Sequence, residues 1–513
     1  MQVGVIDLLH DRPPGRLFDP YSLVFRKQFM GIMPQTVAVW CSQLGHQVHY
    51  RTYWGQADPI SLAPDGLDVV FISAYTRSSA LAYGMAKVLR RRGVLTVLGG
   101  PHARTFPTDS SRFFDIVVKT CDRELIADIL RRRHDPPVIL SSARQPADFP
   151  TVEERMPFIK ASAFYGERIG RTSTVPMLSS VGCPYDCGFC VDWNSRYAAL
   201  SPDRLSADLA FLSRNHPDLL LAFHDPNFGI RFDSVMDLIA ALPSARRNRY
   251  VMESTLSILK PARMPRLAET NCVYIAPGVE SWTDHGAKSG SGRDVGRDKL
   301  DKIVGQFKQL AEHVPGIQAN FIFGADSDAG STPVDLTKEF MDRLPEVWPV
   351  LNIPTAYGGT PLYDQMRRED RILEELPFHF YYKPFLSIII KNYDPVAYYD
   401  RVIELTSAAA GAGAVLRRLA SRTSGSIRMV NVYRSLAVQF HVRQLKRMRA
   451  ALASDPQLRA FHEGRSRTLP AFYERLFKRR LGRYAELLPA GMRRPTLETA
   501  PAVAKPAVRV PAE

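Results

Sequence analysis

The stretch Cys183-Pro-Tyr-Asp-Cys187-Gly-Phe-Cys190 puts three of the chain's six cysteines within eight residues. The other three, Cys41, Cys121 and Cys272, lie far from it and from one another in sequence. Disulfides between such near neighbours would be strained, and three thiols leave one over. One metal centre suits the spacing better. A structural zinc site usually has four protein ligands, and no fourth Cys or His follows at zinc-finger spacing. An iron–sulfur cubane ordinarily takes four thiolates. Three therefore leave one iron open, and an open iron can bind a substrate. A structural zinc or a chance grouping is the alternative for the motif alone. The preceding Val175-Pro-Met-Leu-Ser-Ser-Val-Gly182 reads as a buried strand running into the loop.

Downstream, strand-like and helix-like segments alternate. Strands are expected at Leu219–His224, Tyr250–Ser254, Val273–Ser281, Ile317–Gly324 and Val350–Thr355. With the strand before the cysteines, that makes six βα units. The spacing C-x3-C-x2-C, with Phe189 just before the last cysteine, resembles the cluster loop of radical S-adenosylmethionine (SAM) enzymes. The resemblance implies a partial (β/α)6 barrel. It also implies a 4Fe–4S cluster on Cys183, Cys187 and Cys190, whose open iron takes the amino and carboxylate groups of SAM. Further SAM contacts implied by the family pattern are Phe189, Asp225, Asn227, Glu253, Ser254, Glu280 and Ser281. Independently of any family, residues at the carboxyl ends of barrel strands face the active-site mouth. Glu253 and Glu280 could there neutralise an ammonium or bond a ribose. The alternative for each residue is a polar side chain satisfied at a strand end. Asp326 and Asp328 read as turn and helix-cap residues.

The region before the cysteines also alternates. Val3–Leu9, Gln47–Tyr53, Val69–Ser73, Leu95–Leu98 and Asp115–Val118 read as strands, with helices over Gln35–Leu44 and Ala80–Arg92. This predicts an α/β, doubly wound parallel sheet, whose ligand crevice lies beyond the carboxyl ends of its strands. The loops His10–Gly15, Ser73–Ser79 and Gly99-Gly100-Pro101-His102-Ala103 sit there. The Gly-Gly-Pro-His loop resembles that of the Rossmann-like cobalamin-binding domain in class B radical SAM methylases. The resemblance implies a cobalamin site at Ser73, Thr76, Ser78, Gly99, Gly100, Pro101 and His102. The D-x-H-x-x-G motif that supplies a lower histidine to cobalt elsewhere is absent, and Asp7-Leu-Leu-His10 has the wrong spacing. Lys119-Thr-Cys-Asp-Arg-Glu124 also departs from the usual turn. In Gly358-Gly-Thr-Pro-Leu-Tyr363, Gly358 replaces a proline common among cobalamin-dependent relatives. A purely structural flavodoxin-like domain is the alternative.

The expected organisation is residues 1–150 as the Rossmann-like cobalamin-binding-type domain, 151–390 as the radical SAM barrel, 391–490 as a helical region and 491–513 as a disordered Pro/Ala-rich tail. The stretch from Pro150 to Arg171 reads as a linker. Length, 45% hydrophobic and 23% charged residues are ordinary for a globular chain. No apolar run reaches the ~18–20 residues of a membrane helix. The start lacks a secretory signature, so a cytoplasmic protein is expected, in a reducing compartment that suits thiolates. The net charge of +15 is conspicuous in the C-terminal helices. A solvated helix face is the main reading, with an acidic protein or membrane partner as the lesser one; nucleic acid is not expected.

The implied activity is cleavage of SAM to a 5′-deoxyadenosyl radical, for cobalamin-dependent methylation of an unactivated carbon. The expected partners are a hydrophobic or anionic small-molecule substrate and an external electron donor such as flavodoxin or ferredoxin. Cyclisation, ring contraction or rearrangement without methyl transfer is the second enzymatic reading. A non-catalytic iron–sulfur or corrinoid-binding accessory protein is the alternative of another class.

Overall fold

The computed structural model describes residues 1–15, 30–143, 148–162, 174–283, 294–421 and 425–498. The first sheet comprises β1 (Gln2–Leu8), β2 (Gln47–Tyr53), β3 (Val69–Ala74), β4 (Leu95–Gly99), β5 (Ile116–Val118) and β6 (Val138–Leu140). All its pairings are parallel and the order is β2-β1-β3-β4-β5-β6. Strands covered on both faces need apolar side chains on both, and β1 and β3 are accordingly near-continuous buried runs. The order reverses between β1 and β3, and such a switch point opens a crevice above the carboxyl ends.

The second sheet comprises β7 (Thr174–Met177), β8 (Leu220–Phe223), β9 (Tyr250–Met252), β10 (Cys272–Ile275), β11 (Gly316–Ile322) and β12 (Trp348–Asn352). These six strands pair in parallel and in chain order, which is an open (β/α)6 arrangement. Gly278–Glu280 forms a further short strand beside β11.

Seven helices matter below. They are α1 (Ile32–Gln43), α2 (Gly100–Thr105), α3 (Val152–Ala161), α4 (Pro395–Ala410), α5 (Ala412–Ala420), α6 (Gly425–Ser454) and α7 (Ala471–Leu481). Two segments differ from expectation. The stretch read as a linker contains α3, which opens on a reciprocal capping box between Thr151 and Glu154. The tail expected to be disordered from 491 is docked as far as 498. Met492 and Leu497 pack on the core, and Glu498 accepts from Thr108 N and Oγ1, both at 2.8 Å. The rest of the tail, and residues 163–173 of the linker, lie outside the described residues. The buried tyrosines Tyr381, Tyr398 and Tyr399 are core packing.

Candidate functional site

The three-cysteine loop is fixed at both ends. Ser180–Val181 pairs antiparallel with Ala198–Ala199, and Cys183 N donates to Ser195 O at 3.3 Å. Gly182 has φ +67°. A Cβ there would meet the Arg196 carbonyl oxygen at 2.2 Å, so only glycine fits the approach. Within the loop, Cys190 N donates to Cys187 O at 2.9 Å. Asp225 ties the loop's root to the end of β8. Its carboxylate accepts from Ser179 N (3.0 and 3.1 Å) and from the hydroxyls of Ser179 and Ser180, both at 2.6 Å. Burial raises the Asp225 carboxyl above its ordinary range, opposed by these hydrogen bonds. Cys183 is buried, while Cys187 and Cys190 are half-buried. Among the described residues, no three Cys, His, Asp or Glu side chains are grouped as a preformed metal site. The loop therefore offers the donor chemistry of a three-thiolate centre on a fixed backbone, without a preset arrangement of sulfurs.

A cavity of about 420 Å³ separates this loop from the first sheet. Its sheet-side wall includes Asp7, Ser73, Gly99, Gly100 and Pro101, and its loop-side wall includes Val181, Gly182, Val191 and Asp192. The crevice predicted by the strand order thus opens against the residues on either side of the cysteine loop, although Cys183, Cys187 and Cys190 themselves do not line it. Arg104 of α2 holds the walls together. It donates to Asp192 Oδ1 at 2.8 Å, to Val191 O at 2.9 Å and to Ser195 Oγ at 2.5 Å. The turn at Gly358–Gly359 closes the joint: Trp193 Nε1 donates to Gly359 O at 2.6 Å, and Leu362 N to Gly188 O at 2.9 Å. A Cβ on Gly358 would lie 2.1 Å from Thr105 O. This accounts for glycine in place of the proline anticipated there.

Of the residues assigned to cobalamin from the sequence, Ser73, Gly99, Gly100 and Pro101 line this cavity. Thr76, Ser78 and His102 are not brought to it. His102 is fully buried, with Nε2 2.6 Å from the Tyr83 hydroxyl and Nδ1 3.4 Å from Thr76 Oγ1, and its ring lies against Phe106 and Phe378. Burial pushes its pKa down to about 3, which keeps the ring neutral. Ser78 Oγ donates to Tyr75 O at 3.0 Å and so closes its own turn. The cause is local: the helix starts at Gly100, so the last residue of the motif is turned into the core. The sequence reading missed Asp7, Arg104, Lys119 and Thr120, all on the cavity wall. Asp7 is buried and accepts from Gly31 N at 2.7 Å. Burial raises its carboxyl to about 7, against the lowering effect of that bond. Its position at the end of β1 was the available signal.

The residues assigned to SAM divide as well. Asp225, Ser254 and Ser281 are occupied within the protein: Ser254 Oγ donates to Phe228 O at 2.8 Å, and Ser281 Oγ to Asp328 Oδ1 at 3.2 Å. Asn227 is 1% exposed, yet neither its amide nitrogen nor its oxygen has a hydrogen-bond partner. Such a buried amide normally has one. Glu253 is exposed just beyond β9, and Glu280 is half-buried with φ +63°. Phe189 is 36% exposed on the cysteine loop. Asp328 is a turn residue, accepting from Gly324 N at 2.9 Å. Asp326 instead forms a two-pronged ion pair with Arg371, both contacts 2.7 Å.

No family model matches the chain. Among curated proteins, it is similar to bacteriochlorophyllide d C-8(2)-methyltransferase of Chlorobaculum tepidum. The two are 25% identical over 357 residues, covering 66% of this chain and 76% of that one. It is also similar to the C-12(1)-methyltransferase of the same organism, at 23% identity over 60% of this chain and 67% of that one. Among solved structures, it resembles the radical SAM methyltransferase TsrM of Kitasatospora setae, a structure with cobalamin and a [4Fe-4S] cluster bound. That match has a TM-score of 0.54 and 13% identity over 87% of this chain and 99% of that one. The cobalamin-dependent radical SAM enzyme OxsB, with aqua-cobalamin and SAM bound, matches with a TM-score of 0.58 and 10% identity over 96% of this chain and 79% of that one. The resemblance carried by the cysteine loop and the Gly-Gly-Pro loop therefore holds across both sheets: the fold is that of TsrM and OxsB.

Proposed function

We propose that the chain is a cobalamin-dependent radical SAM enzyme that methylates an unactivated carbon of a small molecule. The observation that carries this reading is the shared cavity, with the carboxyl ends of a flavodoxin-like sheet on one wall and the residues that flank a three-cysteine barrel loop on the other. Residues 1–150 are assigned to the corrinoid, 151–390 to the cluster and SAM, and 391–490 to the helical remainder. Cys183, Cys187 and Cys190 would hold the cluster. Phe189, Asn227, Glu253 and Glu280 remain as SAM contacts, and Ser73, Gly99, Gly100 and Pro101, joined by Asp7 and Lys119, as corrinoid contacts. When bound, these groups supply one-electron cleavage of SAM and carriage of a methyl group.

The chain's own part is positional. Gly99 and Gly100 let the backbone come close to a flat ligand. Asn227 offers an amide NH2 donor group and a carbonyl acceptor from a dry position, where a hydrogen bond to a ligand is worth most. Arg104 and the Gly358 turn fix the distance between the walls, which keeps two cofactors in line and water out. An external one-electron donor, such as a flavodoxin or ferredoxin, completes the reading. The test is anaerobic incubation of the iron-loaded chain with cobalamin, SAM and a reductant. Formation of 5′-deoxyadenosine and retention of a corrinoid chromophore are expected, and absence of both overturns the proposal. Comparing metabolites with and without the gene should reveal a substrate that gains CH2. An unchanged formula or a loss of hydrogen would instead establish rearrangement or cyclisation.

A further inference from the structure

The basic C-terminal helices read from sequence as a solvated face, but their exposed side chains are not uniformly polar. Leu416, Leu419, Met429, Leu436 and Phe440 are 43% to 66% exposed. They make up half of the ten large apolar side chains exposed among the described residues, and all five belong to α5 or α6. On α6, Met429, Leu436 and Phe440 recur at i, i+7 and i+11, which places them on one stripe. Arg443 and Arg447 continue that stripe at i+14 and i+18. The opposite side of α6 is buried through Val442, Leu445, Met448 and Leu452, so the stripe faces outward.

The charge around it is one-sided. Between Glu404 and Asp455 the chain has no acidic residue, against eight Arg and one Lys. Some of these are internally engaged: Arg449 pairs with Asp400, Arg417 with Asp342, and Arg418 lies over the Trp348 ring. Among the described residues, Arg443, Lys446 and Arg447 have no ion-pair partner. Phe440 and Arg447 also line the mouth of a second cavity of about 1320 Å³, shared with Arg479 and Arg480 of α7.

We infer that the α5–α6 face docks on an anionic lipid bilayer, with Leu436 and Phe440 entering the headgroup–acyl boundary and Arg443, Lys446 and Arg447 meeting acidic headgroups. The pattern is that of an interfacial helix: an apolar stripe flanked by cations, on an element that cannot span. No described helix is long and apolar enough to cross a membrane. A polyanion such as nucleic acid would use the cations but leave the apolar stripe in water. A symmetric pairing with a second copy would bring two acid-free basic faces together, which repel.

The test uses the full chain and flotation with vesicles of phosphatidylcholine alone or mixed with phosphatidylglycerol. Wild type should float with the mixed vesicles only, and less so at high salt. The triple change Arg443→Gln/Lys446→Gln/Arg447→Gln should weaken that binding on the order of 100-fold, from about one decade or less per cation near an anionic surface. The double change Leu436→Gln/Phe440→Gln should also release the chain. These side chains are exposed, and an unchanged melting temperature verifies the fold of each variant. No binding to mixed vesicles, or equal binding to neutral ones, overturns the inference. Loss in the charge variant with none in the apolar variant reduces the face to a polyanion site and overturns it too. So does a concentration-dependent dimer in solution that the apolar variant abolishes. Every readout is physical binding, so failure here leaves the proposed chemistry untouched.

Discussion

Asp7 is a buried carboxyl on the wall of the shared cavity, with one backbone donor and, among the described residues, no cation paired to it, and this makes a pH-dependent prediction. Its pKa stands at about 7 against 3.8 for the ordinary group. The difference, about 3 (7 − 3.8), at about 1.4 kcal/mol each, corresponds to at most about 4 kcal/mol. The folded pKa is raised, so the neutral acid is the form the fold favours. Its stabilisation is complete below pH 3.8 and is lost as pH rises to about 7. Asp7→Asn keeps an acceptor for Gly31 N and removes the titration. The variant should match wild type near pH 4, gain steadily through pH 4–7, and be more stable by up to about 4 kcal/mol above it. Urea unfolding at several pH values, followed through the fluorescence of buried Trp40 on α1, measures the difference. A gap between the two proteins that does not change with pH refutes the reasoning, because it would mean that the carboxyl is solvated from the cavity.

Three further outcomes are expected. Asn227→Leu removes a buried amide without partners and should stabilise the cofactor-free chain by about 1–3 kcal/mol while weakening SAM binding; calorimetry on both proteins checks the pair of opposite signs. Gly358→Pro, which restores the residue anticipated from relatives, should lower the melting temperature, because its ring must displace the Thr105 carbonyl; a melting curve matching wild type would count against the contact. Cys190→Ala should lose bound iron after anaerobic reconstitution while leaving the far-UV circular dichroism unchanged, and full iron content would remove the cluster assignment.

Most strands of the two sheets were legible because parallel strands buried on both faces leave unbroken apolar runs. The short outer strand β6 has an exposed centre and was not read, and the stretch read as one strand over Val273–Ser281 is two, Cys272–Ile275 and Gly278–Glu280. What failed was direction. Gly99-Gly100-Pro101-His102 looked like four ligand-facing residues, but a helix beginning at Gly100 turns the imidazole toward Tyr83. α3 lies in the mixed stretch read as a linker, although Thr151 and Glu154 already spelled its capping box. Asp225 was read as a SAM contact from the family pattern alone. Only the structure shows its oxygens committed to Ser179 and Ser180. Arg104 could not be found from sequence, since its partners lie 87 to 91 residues away. The basic helices were legible as charge, whereas the apolar stripe depends on which side of α6 the remaining helices cover.

The contact between Gly358 and Thr105 has a consequence for engineering by recombination. Splicing this first sheet onto the barrel of a relative that carries proline at the corresponding turn would bring a ring against the carbonyl at the end of α2. A graft in the other direction would leave Arg104's partners, Asp192 and Ser195, facing a foreign side chain. Halves that each fold could then fail to seat. Transplanting either half calls for carrying Thr105, Arg104, Asp192, Ser195 and Gly358 as one inherited set, because the seam is written in both sequences.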